Sequence, residues 1–329
     1  MKLNIGILGA GKIAAKMADT VAAMQGGGVQ VLAVASRGLP RAQAFAAAHG
    51  VPRAYGSYEA MLADKDIHLV YIATPHSHHA AHIELCLAAG RHVLCEKAFT
   101  VNEAQARRVT AMARKRGLLL AEAIWTRYMP SRRLISGIIE SGELGRVHSL
   151  QANLGYPIWE VERMRSPQLA GGALLDLGVY PINFALMAFG EDAVDVTGEA
   201  RLLDTGVDAV ENITMRGPDG RQACLHATMM GPTDRSGFIY GEKGYLFVQN
   251  INNPEKLEIY DAGHRLMRSV PVPQQISGYE YEMLACKRAI EQGLCECPEM
   301  PHEASCRVMA LADGLRRQWG VRFPQEVEA

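Results

Sequence analysis

LNIGILGAGKIA, residues 3 to 14, decides the fold. Leu3 to Gly9 is a short apolar run that reads as a buried strand. It passes straight into glycines and then into a helix-like stretch from Ile13 to Met24. Gly9, Gly11 and Ala14 fit the spacing G-x-G-x-x-G/A, with alanine in the last place. Each position has a physical reason. Gly9 permits the tight turn, Gly11 lets the backbone approach a pyrophosphate, and Ala14 is small enough for the helix to pack on the strand. The start of the helix, at Lys12 and Ile13, offers unpaired N–H groups and a partial positive charge to phosphates. A glycine pattern alone says little; between a strand and a helix it reads as a dinucleotide-binding turn.

Working outward, VQVLAVASR reads as the second strand and ends at Ser36 and Arg37. A unit that binds NAD usually carries Asp or Glu there, on the ribose 2′-hydroxyl. None is present. A carboxylate would repel a 2′-phosphate, whereas Arg37 can pair with one, helped by the Ser36 hydroxyl. The alternative is a solvated surface arginine. The expected cofactor is NADP(H), with NAD possible.

The alternation continues through LVYIATP, AHIELCLAAG, RHVLCEK, VNEAQARRVTAMARKRG and LLLAEA. Strands alternating with helical runs imply a parallel sheet with helices on both faces. Ligands of such sheets bind beyond the carboxyl ends of the strands. Those ends carry GAG, SR, TPHSHH, CEK and EAIW. Thr74, Pro75, His76 and His79 are therefore expected beside the cofactor, with Glu96, Lys97, Trp125 and Arg127 on the same rim. Lys97 is either a surface lysine or a cleft ammonium that acts on substrate. His78, His82 and Cys86 recur at intervals of four, but three groups on one straight helix cannot reach one ion, and no metal is expected.

Composition bounds the rest. The chain has 329 residues, 48% hydrophobic and 21% charged, with a net charge of −1. That leaves no basic field for nucleic acid or an anionic membrane, so the expected partner is a small molecule. Seven scattered cysteines and no secretory signal point to reduced thiols in a cytoplasm. No run approaches the ~18 apolar residues of a membrane span. From Val147 the texture changes to strand-like runs: VHSLQANLGY, AVDVTGEARLL, DAVENITMRG, RQACLHATMM, GFIYGEKGYLFVQ and KLEIYDAG, with PDG (218–220) as a hairpin turn. Helices are expected near 277–293 and 302–319. The division expected is a dinucleotide-binding domain over 1–124 and a substrate-binding and oligomerisation domain over 125–329. The fold class is α/β: a doubly wound parallel sheet, then an α+β domain with an open, largely antiparallel sheet.

One apolar segment of the second half holds chemistry. GGALLDLGVY, residues 171 to 180, places Asp176 and Tyr180 four residues apart, on one face of a helix. They form either a tyrosine–aspartate bond inside a core or a pair facing a ligand. Trp125, Tyr156 and Trp159 are candidates for the walls of a substrate pocket, or else core and interface aromatics.

GAGKIA, ATPHSHH, HVLCEKAFTVN, EAIWTRYMP, GGALLDLGVYPI and YGEKGYLFV occur in this order with fitting spacing. The chain resembles the glucose–fructose oxidoreductase/inositol dehydrogenase superfamily over nearly its whole length. It is most similar to the branch containing dimeric dihydrodiol dehydrogenase, also described as NADP-linked D-xylose 1-dehydrogenase. The resemblance implies an oxidoreductase that forms a homodimer through its second-domain sheet. It puts the family's lysine on Lys97 and its acid and acid/base residue on Asp176 and Tyr180, with tyrosine in place of the histidine of most members. Ala98 departs from the family's proline after the lysine. On this reading Tyr180 handles the proton, Lys97 across the cleft favours the phenolate and bonds the substrate hydroxyl, and Asp176 orients substrate or lysine. Substrates implied are a sugar or a dihydrodiol. The alternatives are an inositol or polyol dehydrogenase and a cofactor-sensing regulator without catalysis.

Overall fold

Crossover connections bury a parallel sheet on both faces, and the first strands show it. The computed structural model describes residues 2–24, 26–190, 195–217 and 219–326. Residues 193 and 194 of the expected strand AVDVTGEARLL, and Pro218 of the expected turn, lie outside them. The chain divides into two compact units, Met1–Tyr128 with Gln275–Cys306, and Met129–Gln274 with Arg307–Ala329.

The first unit holds strands β1 (Leu3–Leu8), β2 (Val29–Ala35), β3 (Arg53–Tyr55), β4 (Leu69–Ile72), β5 (His92–Glu96) and β6 (Leu120–Ala123). All neighbours run parallel, in the order β3-β2-β1-β4-β5-β6. Order reverses at β1, which places a crevice at the carboxyl ends of β1 and β4. Helices α1 (Lys12–Ala23), α2 (Leu39–His49), α3 (Tyr58–Leu62), α4 (His79–Ala88) and α5 (Glu103–Arg116) connect the strands. The ends of α5 follow from sequence: the Asn102 side chain accepts from the Gln105 N–H at 2.8 Å, and Gly117 closes it in the left-handed region. The chain returns to this unit late. In 275–306, Cys295 C=O accepts from Leu120 N–H at 2.9 Å, and the helix Glu280–Glu291 packs there with its Glu282 fully buried.

The second unit is built on eight strands: β7 (Val147–Gly155), β8 (Asp195–Leu202), β9 (Asp208–Arg216), β10 (Gln222–Thr228), β11 (Gly237–Gly241), β12 (Gly244–Val248), β13 (Lys256–Asp261) and β14 (Leu266–Pro271). Their order is β14-β13-β12-β11-β7-β10-β9-β8, antiparallel except for the parallel pair β7 and β10. Leu150, Ala152, Ile213, Leu225, Ile239 and Leu246 are buried on one face, and the residues between them form the open face. Helices α6 (Pro130–Glu140), α7 (Glu162–Arg165) and α8 (Val179–Phe189) belong to this unit, α8 packing on β7 and β10. After α9 (Glu280–Glu291), the last helix, α10 (His302–Trp319), runs from the first unit's residues into the second's.

The segment Pro167–Phe189 is longer and more apolar than the sequence reading allowed. It is long and apolar enough over 23 residues to cross a membrane by length and composition alone, yet it is broken at residues 170–172 and 94% of its apolar window is buried inside the fold. That is the situation of a core helix.

Candidate active site

The cofactor half of the site begins at β1. Gly9 sits at φ +105°, and a Cβ there would lie 2.9 Å from the Ala73 carbonyl oxygen, so the turn out of β1 needs glycine for both reasons. At Gly11 the opposite holds: a Cβ would meet nothing within 4 Å. The backbone faces open space at the N-terminus of α1, where no side chain caps the helix and no acid occupies the first turn. Lys12 is exposed there and Ile13 half-buried. These features fit a pyrophosphate, whose charge the free N–H groups would meet. At the end of β2, Ser36 is buried and Arg37 exposed. Arg41, which the sequence reading missed, donates to the Ala10 carbonyl at 3.0 Å. Arg37 and Arg41 both act electrostatically on the Tyr58 phenol, so two cations gather near the end of β2, where the sequence leads one to expect a 2′-phosphate. Arg41 lies four residues beyond Arg37, past Gly38, Leu39 and Pro40, and only the fold brings it back to the glycine turn.

The ends of β4 and β5 are tied together by a histidine. His79 is fully buried, with Nδ1 2.8 Å from the Ala98 carbonyl and Nε2 2.8 Å from the Thr74 carbonyl. Burial pulls its pKa down, with the two carbonyls opposing. His79 thus joins the Thr74–Pro75–His76 turn to the turn that follows Lys97. Thr74 also meets His82 Nδ1 at 3.0 Å, and burial draws His82 down to about 4. Burial pushes the Cys86 thiol up to about 12, which disfavours the thiolate a metal would need. Among the described residues no group of three or more His, Cys, Asp or Glu could hold a metal ion.

Glu96 is buried at the end of β5 and accepts from the Tyr71 hydroxyl and, at 3.2 Å, from the Lys97 N–H. Lys97 is half-buried, and its peptide bond to Ala98 is cis. Beyond β6, Trp125 is buried and stacks on Tyr279, with centroids 4.6 Å apart and planes 10° from parallel. Arg127 is buried and acts on Glu122. The structure therefore brings the first unit's candidates together along one rim of the sheet.

The second unit holds the other candidates. Asp176 lies in a π-helical turn, Leu174–Gly178, that runs into α8, whose second residue is Tyr180. Such wide turns favour functional sites. Both side chains are buried, at 5% and 8% exposure, so neither is a solvated surface group. Arg163, also missed by sequence reasoning, grips Asp176 with both guanidinium arms, at 3.0 and 3.2 Å. Gly171 explains how it comes so near: a Cβ there would lie 2.4 Å from the Arg163 carbonyl oxygen. The bidentate geometry fixes the plane of the carboxylate as well as its charge.

Tyr156 and Trp159 are half-buried. The Tyr156 hydroxyl accepts from Arg235 at 3.3 Å and Asn252 at 3.2 Å, and Arg235 also lies over its ring. Arg165 lies 5.5 Å from the Trp159 ring centroid. Both are candidates for a substrate pocket by their position in this unit.

The class defined by this turn, rim and sheet is that of a nucleotide-dependent oxidoreductase. Residues 3–123 match the oxidoreductase family with an NAD-binding Rossmann fold, and residues 133–247 match the GFO/IDH/MocA C-terminal domain. The chain belongs to the GFO/IDH/MocA oxidoreductase family. It is 32% identical to the trans-1,2-dihydrobenzene-1,2-diol dehydrogenase of Mus musculus and 34% identical to that of Homo sapiens, with 99% of each chain covered in both cases. A 3-ketoreductase from Actinomadura kijaniata, crystallised with NADP and TDP-benzene, superposes with a TM-score of 0.85 at 28% identity, covering 96% of this chain and 98% of its own.

Proposed function

We propose that this protein is an NADP(H)-dependent dehydrogenase acting on a secondary alcohol of a sugar or dihydrodiol, with Lys97, Asp176 and Tyr180 handling the proton. The observation that carries the reading is that Asp176, on the π-helical turn, and Tyr180, at the start of α8, are both buried, in a chain whose relatives over full length are diol dehydrogenases. When bound, NADP supplies the hydride acceptor. Gly9 and Gly11 would hold its pyrophosphate and Arg37 and Arg41 its 2′-phosphate. The Tyr180 phenolate takes the proton of the substrate hydroxyl. Lys97 supplies the ammonium that donates a hydrogen bond to substrate oxygen. Asp176, held flat by Arg163, accepts from a neighbouring substrate hydroxyl and fixes which carbon reacts.

The test mixes the protein with NADP and a panel of sugars, cyclitols and vicinal diols and follows the absorbance of reduced cofactor. At least one substrate should reduce NADP, and NAD should react more slowly. If none does while NADPH still binds, the dehydrogenase assignment fails.

The open sheet face supports a second copy of this chain as partner. Phe238, Tyr240, Tyr245, Phe247 and Tyr260 form a continuous ladder of half-buried rings on it, with Tyr245 and Tyr260 stacked at 4.9 Å. Aromatics at this density on a face exposed in one copy fit an interface core. Sedimentation should give a dimer and Tyr245→Glu a monomer; a wild-type monomer at micromolar concentration overturns the pairing.

A further inference from the structure

Two buried acids lie under the Asp176 turn, and the mechanism uses neither. Asp208, 1% exposed, begins β9, and Glu211, fully buried, follows three residues later. Strand alternation would aim residues three apart at opposite faces. The pairing prevents that: Arg201 pairs with Val210 but Leu202 pairs with Asp208, so one extra residue is inserted. This bulge turns Asp208 and Glu211 to the same side. Both then press on GGALLDLGVY. Asp208 Oδ2 accepts from the Leu174 N–H at 2.6 Å, at the head of the π-helical turn. A Cβ on Gly172 would lie 2.4 Å from Asp208 Oδ1, and a Cβ on Gly178 would lie 2.7 Å from Glu211 Oε2. Two of the segment's glycines are thus explained by the two carboxyls.

Like charges so close and so dry cannot both ionise. Burial, and then Asp208, push Glu211 well above the usual carboxylate range. Burial raises Asp208 as well, but the Leu174 N–H, a bond from Glu211 and the Arg316 guanidinium oppose it. Of the two, Glu211 is pushed the further toward its neutral form, while the Leu174 N–H favours the Asp208 carboxylate.

We propose that Asp208 and Glu211 are positioning residues: Glu211 donates its proton in a hydrogen bond to Asp208, and the pair fixes the π-helical turn that presents Asp176 and Tyr180. This rests on the reading that those two groups carry the proton chemistry. Glu211→Gln keeps a donor toward Asp208 and should stay within about threefold of wild-type kcat. Glu211→Leu keeps the volume but loses the donor, and its kcat should fall at least tenfold with NADPH affinity unchanged. Should Glu211→Leu fold poorly, Gly178→Ala probes the same contact. Gly178 has helical φ of −60°, so the added methyl strains no backbone and displaces the Glu211 carboxyl. It should lower kcat similarly.

Hydrogen exchange over 171–180 is read in parallel and needs no turnover. Exchange should quicken there in Glu211→Leu and not in Glu211→Gln. Equal damage from Gln and Leu, or unchanged exchange in both Leu and Gly178→Ala, overturns the proposal. If exchange behaves as expected but wild-type protein reduces no cofactor with any substrate, the positioning pair stands and the dehydrogenase assignment is what fails.

Discussion

The two sheets of this protein solve opposite problems. In the first unit β4 and β6 are buried at every position, and β1 and β5 at all but one. With both faces covered, side chains within the strands have no access to a ligand, and chemistry is confined to the turns where strands end. In the second unit β7 and β9 to β13 alternate, one face dry and one open. Its candidate acid and phenol come from a helical segment laid on the dry face. The first sheet gathers backbone N–H groups and cations at its strand ends; the second supplies a buried platform that holds side chains.

The sharpest way to test this division of labour is Tyr180→Phe. It should cut kcat by about 10²- to 10⁴-fold, the usual worth of a positioned acid–base group, and leave the dissociation constant for NADPH within twofold. Near-normal turnover would remove Tyr180 from the chemistry. A loss of cofactor affinity would blur the contrast between the units.

The next effect concerns stability in the first unit. Burial pushes Glu122, on β6, up to about 7 from 4.5, against the pull of Ser305 and Arg127. Its folded value lies above its unfolded one, so its favourable contribution is complete below pH 4.5 and is lost as pH rises through 7. The loss is up to about 3 kcal/mol. Denaturation of wild type and Glu122→Gln across that window should show the variant gaining on wild type by that order. A constant difference from pH 4.5 to 8 would mean Glu122 does not titrate there.

The smallest effect is expected at Arg163. Its side chain is 42% exposed, so solvent screens its pairing with Asp176. Arg163→Met should lower kcat about threefold to tenfold and raise KM for the alcohol, with KM for NADP unchanged. An unaltered alcohol KM would show that Asp176 needs no clamp.

Legibility in the sequence follows the same contrast. Buried parallel strands read as apolar runs, and β1, β4, β5 and β6 fall where LNIGILG, LVYIATP, RHVLCEK and LLLAEA predict them. The helix expected over 302–319 is His302–Trp319, since its apolar period is regular and nothing breaks it. The strand LMRSVP is invisible to that reading, because β14 is an edge with five of its six residues exposed and has no apolar pattern to show. α2 begins with Leu39–Pro40 and carries small alanines rather than a strong stripe. The Asp176–Tyr180 spacing was legible as a shared face, but the π-helical turn was not, since it arises from what packs beneath it. Arg41, Arg163, Asp208 and Glu211 were missed for one reason: each acts on a residue at least 13 positions away, and no local pattern records such a meeting.

The late return of residues 275–306 to the first unit has a consequence for biosynthesis. Trp125 lacks its stacking partner Tyr279, and the Leu120 carbonyl lacks the imidazole of His302, until more than 150 further residues have left the ribosome. The nucleotide fold, although begun first, is completed only after residues 129–274 have been made, and the nascent chain must carry it half-sealed in the meantime.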